Sequence, residues 1–425
     1  MSAGGLPARW NGLARGWMRW RDRLTRRDLP GVGQDSGPGG FRACAADGVR
    51  ALHRWYDPAT GLWRRAGWWN AANALNAVIQ YTQRTGDRSY AGVIETTFGA
   101  AGRKYPGFIN GYYDDNGWWA LSWVAAFDLT RDPKYLAAAE KIFEQMTTGW
   151  DGKCGGGLWW TTSRTYKNAI PNELFLLLAG RLHQRAKPGP AAGYLDWALR
   201  EWKWFAGSGM IGASGLVNDG LTADCANNGG TTWSYNQGVI LGGLAVLHEI
   251  TGDEGYLDAG NKIAGAALRG LAVPVPPATR GPSAVPPPPA VPVASAHAAL
   301  DAAVPGMLVE PCEGAPGGCN GDQVLFKGIF IRNLYDFYLR SRRDEYRAFI
   351  LANAHSIWQN NRDSRNRFGL CWGGPFDRAD ASRQTSALDV LNAALALTGD
   401  DELLPGRLKA DAKILLEVKV WRWNR

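Results

Sequence analysis

The chain has 425 residues, 45% of them hydrophobic, and a net charge of +8, a composition that suits a globular protein with a large core. No run of about 18 apolar residues occurs, which excludes an ordinary transmembrane helix. Seven Arg and two Asp within residues 1–30 account for +5 of the net charge. The rest of the chain has no cluster of basic residues that would predict nucleic-acid binding.

Tryptophan and cysteine are unusually informative here. The 21 Trp residues favour either an aromatic cleft of the kind that binds sugars or a Trp-rich core. The six Cys include no Cys-x-x-Cys motif, but Cys312 and Cys319 are spaced for a short disulfide loop. An even number of Cys is compatible with an oxidising compartment. The five His form no ligand-spaced cluster, so we predict neither a metal ion nor a cofactor.

The predicted elements begin with a basic arm over residues 1–40. Its apolar residues at roughly helical spacing are Trp10, Leu13, Trp17, Trp20 and Leu24. With Arg residues between them, they form either a helix lying on an anionic membrane surface or a helix packed on the outside of the domain. The arm shows no apolar stretch or cleavage site of a secretory signal, and residues 30–40 predict a flexible Gly/Pro linker.

From residue 41 onward the apolar spacing is helical and strand signals are few. The pattern predicts twelve helices, near residues 41–55, 70–85, 87–100, 116–129, 132–147, 167–185, 189–205, 231–251, 254–272, 321–341, 343–361 and 382–398. Several short links share a turn motif that ends one helix and caps the next, at 85–87, 130–132, 251–253 and 398–400. The other links are long, at 56–69, 101–115, 148–166, 206–230, 273–320 and 362–381.

The alternation of short and long links predicts the fold. Short links join antiparallel neighbours at one end of a helical array, so every long link falls at the opposite end. We therefore predict an all-α fold, an (α/α)6 barrel over residues 41–400 with its long loops gathered at one mouth. Residues 273–300 read as a Pro-rich insertion and 401–425 as a C-terminal tail. The alternative is an irregular helical protein or a solenoid.

The segment 110–123 contains the most suggestive chemistry. Asp114 and Asp115 are adjacent, preceded by Tyr112 and Tyr113 and followed by several Trp. The surrounding Gly and Asn predict a loop that leads into a helix beginning near residue 116. Two carboxyls about 5 Å apart suit a retaining glycosidase, one as nucleophile and one as acid/base. Alternatively, the pair caps the helix and complements its dipole.

A set of motifs extends beyond this segment, at residues 56–63, 67–73, 112–119, 154–157, 166–173, 232–238, 322–323 and 326–333. On these motifs the chain resembles glycoside hydrolase family 76, the endo-α-1,6-mannanases, over roughly residues 41–398. The resemblance implies an (α/α)6 barrel and hydrolysis of α-1,6-mannan with retention, without a metal. It also implies that Asp114 is the nucleophile and Asp115 the general acid/base.

Further polar and aromatic residues near the predicted mouth are candidates for substrate binding: Asn70, Asn73, Tyr113, Trp118, Trp119, Asn172, Asp219, Asp224, Trp233, Tyr235, Asn236, Gln237 and Lys327. Each has a structural alternative. Asn70 and Asn73 also suit a helix cap, and Asn172 a bridge between helices. The group at 233–237 could instead form a buried polar network. Asp219 and Asp224 could simply be solvated loop acids, and Lys327 could form an ion pair.

The expected partner is an α-mannan polysaccharide or a mannosylated glycolipid, bound by a monomer, with no nucleic acid. Membrane-surface contact by the arm is one option. A mannan transglycosidase of the same fold, a non-catalytic glycan-binding protein and another (α/α)6 enzyme acting on acidic sugars are the alternatives. The family implies an extracellular or cell-envelope location, which stands against the lack of a recognisable signal peptide.

Overall fold

A computed structural model describes residues 40–187, 190–276 and 306–398. The basic arm before residue 40, the Pro-rich insertion beyond residue 276 and the tail from residue 401 lie outside the described residues. None of the helices within the described ranges is both long and apolar enough to cross a membrane.

Twelve α-helices occur in this part of the chain. They are α1 (Gly40–His53), α2 (Trp68–Thr85), α3 (Gly92–Ala101), α4 (Tyr113–Thr130), α5 (Pro133–Thr147), α6 (Ala169–His183), α7 (Pro190–Gly207), α8 (Ser234–Thr251), α9 (Gly255–Gly270), α10 (Phe326–Ser341), α11 (Asp344–Asn360) and α12 (Ala381–Leu397). Most predicted boundaries agree within a few residues. The largest differences are α3 and α10, which begin five residues later than predicted, and in α10 a 3-10 turn at Gln323–Leu325 occupies that interval.

The even-numbered helices form a closed inner ring. Each contacts the next in chain order, and α12 contacts α2. The odd-numbered helices pack outside this ring. Each of α5, α7 and α9 lies against the inner helix that comes directly before it in the sequence. Inner helices such as α6 and α8 are buried around almost their whole circumference, since both neighbours and an outer helix cover them. The predicted (α/α)6 barrel of twelve helices is confirmed.

Every inner helix is preceded by a long link, so all six inner helices begin at the same end of the barrel. The long links are residues 54–67, 102–112, 148–168, 208–233, 271–325 and 361–380. We call this end the mouth. Six parallel helix N-termini meet there, and their free amide groups create an environment that favours carboxylates.

The short links at the opposite end are held by a threonine as well as by the Gly and Asp of the predicted turns. Gly86 adopts φ 74° at the end of α2. The hydroxyl of Thr85 donates to the Tyr81 carbonyl at 2.7 Å and accepts the Asp87 N–H at 3.1 Å. The same two bonds recur at Thr130 and at Thr251. The shared motif therefore marks a turn in which the hydroxyl replaces lost helical hydrogen bonds.

Short ladders and disulfides close the long links. Strand β1 (Tyr56–Asp57) pairs with β2 (Leu62–Trp63), and β3 (Ala272–Pro274) pairs with β4 (Gly306–Leu308), both antiparallel. The β3–β4 ladder brings the two ends of the Pro-rich insertion together. A disulfide joins Cys312 to Cys319, as their spacing suggested, and another joins Cys154 to Cys225. The second connects the 148–168 and 208–233 links to each other.

Four inner helices hold a long link through an amide side chain at their fourth residue. In α6, the Asn172 carbonyl oxygen accepts the Leu158 N–H at 2.6 Å, and its amide donates to the Leu158 carbonyl at 3.1 Å. In α8, Gln237 makes the same two bonds to Val217, at 2.7 and 2.8 Å. We call this arrangement the amide clamp.

The clamp of α4 follows the same plan, and the clamp of α12 bonds a link residue on one side and helix α1 on the other. Asn116 accepts the Asn110 N–H at 2.9 Å and donates to the Asn110 carbonyl at 3.2 Å. Gln384 accepts the Phe368 N–H at 3.0 Å and donates to the Gly48 carbonyl at 3.0 Å. All four amides are fully buried. Each one satisfies link peptide groups that would otherwise be buried without partners, so the mouth loops are fixed to the helices beneath them.

Replacing one clamp tests its energetic contribution. We expect Asn172→Ala to lower the free energy of unfolding by about 2–4 kcal/mol, because the buried N–H and carbonyl of Leu158 lose their partners. Chemical denaturation measures the change, with Asn227→Ala as the matched control, at an exposed position whose side chain donates to the Gly209 carbonyl and accepts the Gly229 N–H. Equal losses in both variants would contradict the structural importance of the clamp.

Candidate active site

Asp114 and Asp115 lie in the first turn of α4, at the mouth. The sequence predicts them in a loop with the helix beginning near residue 116, and the structure corrects this by starting the helix at Tyr113. Gly117 does not break the helix. A side chain there would place its Cβ 3.0 Å from the Leu174 Cβ, so glycine allows α4 and α6 to pack closely. The adjacent Asn116 is a clamp, which also favours the helical start.

The two carboxylates face different links. The Trp160 indole N–H donates to Asp114 Oδ2 at 3.0 Å from the 148–168 link. The Asn110 side-chain amide donates to Asp115 Oδ2 at 2.6 Å from the 102–112 link. Consecutive residues of an α-helix point about 100° apart, so the carboxyls flank the helix start rather than stack on one face. Asp114 Oδ1 is buried, and no described residue hydrogen-bonds it.

Burial raises the pKa of both carboxyls. The pKa of Asp114 rises from 3.8 to about 8, first because of burial and then because of the charge on Asp115. The pKa of Asp115 rises to about 6, mainly through burial, while the hydrogen bond from Asn110 opposes the rise. With these pKa values the pair favours partial protonation near neutral pH, because an ionised Asp115 opposes ionisation of Asp114. A site with one ionised and one protonated carboxyl can supply both a nucleophile and an acid.

Asp322 is a third carboxylate near the pair that the candidate residues did not include. Its charge contributes to the raised pKa of Asp115. The Trp69 indole donates to Asp322 Oδ1 at 2.9 Å, and the Asn70 amide donates to the neighbouring Gly321 carbonyl at 3.4 Å. Asp322 lies in one of the sequence motifs shared with the family, at residues 322–323, so the sequence contained a reason to include it among the candidates. Asn110 and Trp160 were likewise visible in the sequence, but nothing in it places them against the pair.

Aromatic rings line the mouth beside these acids. Trp69 stacks on Trp118 with centroids 5.6 Å apart. Phe326, at the start of α10, stacks on Tyr235 at 3.8 Å and meets Trp233 edge-on at 5.7 Å. These rings come from four inner helix starts, so the barrel brings together residues that are far apart in sequence. Such surfaces suit sugars, whose C–H faces stack on aromatic rings.

Several other candidates have structural partners instead. Asn172 and Gln237 are clamps. Asn73 accepts a hydrogen bond from Arg332 at 2.7 Å inside the barrel. Lys327 is buried, forms an ion pair with Glu313 at 2.5 Å and donates to the Leu370 carbonyl at 2.9 Å. The ion pair is the structural alternative that the sequence left open for Lys327.

Two aromatic candidates belong to the packing beneath the mouth. Trp119 is fully buried, and its ring lies 4.7 Å from Trp68 and 5.0 Å from Phe108. Tyr113 packs so closely against Gly149 that a Cβ there would lie 2.8 Å from its ring. Part of the high Trp content therefore serves the core, as the alternative stated.

The remaining polar candidates differ in burial. Asp219 accepts a hydrogen bond from the Tyr166 hydroxyl at 2.6 Å, and burial raises its pKa. Asp224 is exposed and precedes the disulfide-bonded Cys225. Asn236 is fully buried, and both polar atoms of its side chain lack partners among the described residues. The same holds for both carboxyl oxygens of Glu173, whose pKa burial raises far above its ordinary value.

A cavity of about 280 Å³ lies away from the acid pair, between α2, α4, α6 and α10. Its charged lining is largely paired internally. Arg181 meets Asp336 at 3.0 Å, and Arg185 holds Asp128 through two nitrogens. These arginines sit near the C-terminal ends of the inner helices, where positive charge is favourable. We assign this cavity to the polar interior of the barrel rather than to the candidate active site.

A family model described as glycosyl hydrolase family 76 matches residues 53–274 and 293–404. Among curated proteins, the mannan endo-1,6-alpha-mannosidase DFG5 of Candida albicans is 30% identical over 225 residues, which cover 47% of this chain and 49% of that protein. The mannan endo-1,6-alpha-mannosidase DCW1 of Saccharomyces cerevisiae is 29% identical over 213 residues, covering 44% and 46%. The chain thus spans about half the length of the curated relatives it matches.

Solved structures share the fold. The GH76A alpha-1,6-mannanase from Salegentibacter sp. HEL1_6 superposes with a TM-score of 0.68 at 24% identity, covering 84% of this chain and 99% of that one. An inactive variant of the same enzyme, with two adjacent aspartates changed to alanine, is in complex with alpha-1,6-mannotetrose; it also has a TM-score of 0.68 at 24% identity, covering 84% and 100%. Dfg5 from Chaetomium thermophilum, in complex with glucosamine, gives 0.68 at 21% identity, covering 85% and 91%.

The raised pKa of Asp114 predicts a pH-dependent gain in stability on its removal. A carboxyl whose pKa is raised on folding stabilises the protein below its unfolded pKa, and this contribution is lost as the pH rises towards the folded value. We therefore expect Asp114→Asn to match wild type near pH 4 and to exceed it by at least about 2 kcal/mol above pH 8. Unfolding free energies across this range measure the difference.

The matched control for this measurement is Asp196→Asn, which removes an exposed carboxylate from the outer helix α7. It should show no comparable growth in stability with pH. If Asp114→Asn follows wild type across the whole range, the carboxyl of Asp114 is not destabilised by burial.

Proposed function

Because this chain belongs to glycosyl hydrolase family 76, we propose that it cleaves α-1,6-mannosidic linkages with retention, using Asp114 and Asp115. One observation carries the proposal. Two adjacent carboxyls lie in the first turn of an inner helix at the aromatic mouth, and burial raises the pKa of both. A retaining glycosidase uses such a pair with one carboxyl ionised as nucleophile and the other protonated as acid.

The roles within the pair follow from the family resemblance. The Asp114 carboxylate attacks the anomeric carbon while Asp115 donates its proton to the glycosidic oxygen, so one chain leaves and a mannosyl ester of Asp114 forms. Asp115, now ionised, removes a proton from water. The water oxygen attacks the anomeric carbon, the ester bond breaks, and the pair regains its original charge.

The proton must lie on Asp115 when the reaction begins. In the free protein the higher pKa belongs to Asp114, which favours the opposite arrangement. A glycosidic oxygen beside Asp115 accepts a hydrogen bond only from its protonated form, and the Trp160 indole donates only to an oxygen of Asp114. The first contact favours the required arrangement once substrate is bound, and the second lowers the pKa of Asp114 already in the free protein, since a hydrogen bond to one form of an acid stabilises that form.

The substrate assignment rests on the mouth and on the relatives. Trp118, Trp233 and Tyr235 contribute to the aromatic mouth, and Asn70 and Asp219 supply polar groups beside it. Relatives named mannan endo-1,6-alpha-mannosidases support an α-1,6-mannan or a mannosylated glycan as the substrate. We propose that a single copy of the chain acts on such glycans outside the cell or at its envelope.

Hydrolysis of linear α-1,6-mannan tests the proposal. We expect wild type to release oligosaccharides whose first-formed anomer is α by NMR, because two displacements restore the configuration. Asp115→Asn should lower kcat by about 10²–10⁴-fold, as expected for loss of an acid/base, and Asp114→Asn should form no product. Asp196→Asn, on the outside of the barrel, is the matched control and should retain full activity.

The result also separates the alternatives. If wild type binds α-1,6-mannan without releasing product, the protein is a glycan-binding module and the hydrolase proposal is lost. If a sugar acceptor added to the reaction receives most of the cleaved chain in place of water, the same pair serves a transglycosidase. A β product would contradict the retaining mechanism.

A further inference from the structure

Trp160 differs from the other tryptophans around the acid pair because it is held rigidly while its ring stays open to solvent. Its side chain is among the few large apolar ones that are exposed, at 37%, together with Tyr112 at 45%. The two rings meet edge-on with centroids 5.4 Å apart. An exposed indole gains nothing from the core, so its fixed position requires another explanation.

The backbone around Trp160 is bonded directly to the residues that lead into the acid pair. The Trp160 carbonyl accepts the Tyr113 N–H at 2.9 Å, which satisfies a free amide at the start of α4. Residues 112 and 161 form an antiparallel bridge, and the Thr162 N–H donates to the Gly111 carbonyl at 2.9 Å. These bonds fix the register between the 148–168 link and the helix start that carries Asp114.

The other side of Trp160 is equally constrained. Two residues earlier, Leu158 is held by the amide clamp of Asn172. The neighbouring Trp159 indole donates to Asp151 at 2.6 Å, and the Trp160 N–H donates to the Tyr166 carbonyl at 2.8 Å. The link therefore presents one indole at a defined position, with its N–H on Asp114 and its ring partly exposed beside Tyr112.

We propose that Trp160 is a bifunctional positioning residue, whose ring stacks on the sugar next to the cleaved linkage while its N–H orients the Asp114 carboxyl for attack. The proposal rests on the proposed function and adds a residue to it. The two roles are coupled by geometry, because a sugar that stacks on the ring is placed beside the carboxylate that the same indole holds.

The contacts beyond Trp160 continue along the same link towards Asp219. The Tyr166 ring lies edge-on to Trp160 at 6.4 Å, and the Tyr166 hydroxyl donates to Asp219 at 2.6 Å and accepts from the Asn228 amide at 2.9 Å. A row of ring and polar groups thus leads from Asp114 towards Asp219. We assign the sugars on one side of the cleaved linkage to this row, with Asp219 and Asn228 as their polar partners.

Two substitutions separate the roles of the indole. Trp160→Phe keeps an aromatic ring but removes the N–H donor, whereas Trp160→Ala removes both. The exposed position and the unchanged backbone bonds make both variants compatible with folding. Trp202→Phe, on the outer helix α7, is a matched control that changes a partly exposed indole packed edge-on against Tyr256.

The first measurement needs no substrate. In the free protein, ¹³C NMR titration of the Asp114 carboxyl should give a higher pKa for Trp160→Phe than for wild type, because the lost bond favours the ionised form. Trp202→Phe should leave it unchanged. An unchanged pKa in Trp160→Phe would overturn the hydrogen-bonding role, whatever the enzyme does with mannan.

The second measurement uses α-1,6-mannotetraose. Trp160→Phe should lower kcat with little change in KM and move the acidic limb of the pH profile to higher pH. Trp160→Ala should in addition raise KM by about three- to tenfold, through loss of stacking. Equal KM values for Trp160→Ala and wild type would overturn the stacking role. Absence of turnover in wild type would instead refute the proposed function, and calorimetric binding of the oligosaccharide to Trp160→Ala and wild type would still test stacking.

Discussion

The mouth depends on the bonding of loop peptides to buried amide side chains at the inner helix starts. A barrel of this kind must place six long links over the ends of six buried helices, where each peptide group needs a partner. In four helices the fourth residue is an Asn or Gln whose side-chain oxygen accepts a backbone N–H of a long link. Its amide N–H donates to the carbonyl of the same link residue or, in α12, to the carbonyl of Gly48. The positions of Asn110 and Trp160 beside the acid pair follow from the clamps on their own links.

The common direction of the inner helices explains why Asp114 and Asp115 lie at the mouth and not at the opposite end of the barrel. All six begin at the mouth, so the positive ends of their dipoles lie there, and the arginines of the interior cavity lie towards the negative ends. The same end is apolar and enclosed, which raises the pKa of Asp114 and Asp115. Helix dipoles favour charge in the pair while burial opposes it. Partial protonation is the outcome, and this is what acid/base chemistry at a glycosidic bond requires.

The barrel was predictable from the sequence because its cause is local. The Thr-x-Asp turns and the alternation of link lengths are visible without knowing any long-range contact, and together they determine an antiparallel double ring. The start of α4 was not predictable in the same way. Gly117 reads as a helix breaker, and only the close approach of Leu174 explains why glycine is needed there.

The candidate site shows the same division. The acid pair was recognisable because adjacent carboxyls among aromatic residues are rare. Asn172 and Gln237 were predicted to bind substrate, and in the structure each also holds a link peptide. The sequence could not show this, because the positions of Leu158 and Val217 depend on long-range packing. Trp160 was not among the candidate site residues, because its contact to Asp114 comes from another link. A crystal structure of the Asp114→Asn, Asp115→Asn double variant with α-1,6-mannotetraose is the most direct test of the account. It should show one glycosidic oxygen within hydrogen-bond distance of residue 115 and the adjoining anomeric carbon facing residue 114. A sugar chain that crosses the mouth without approaching both residues would contradict it.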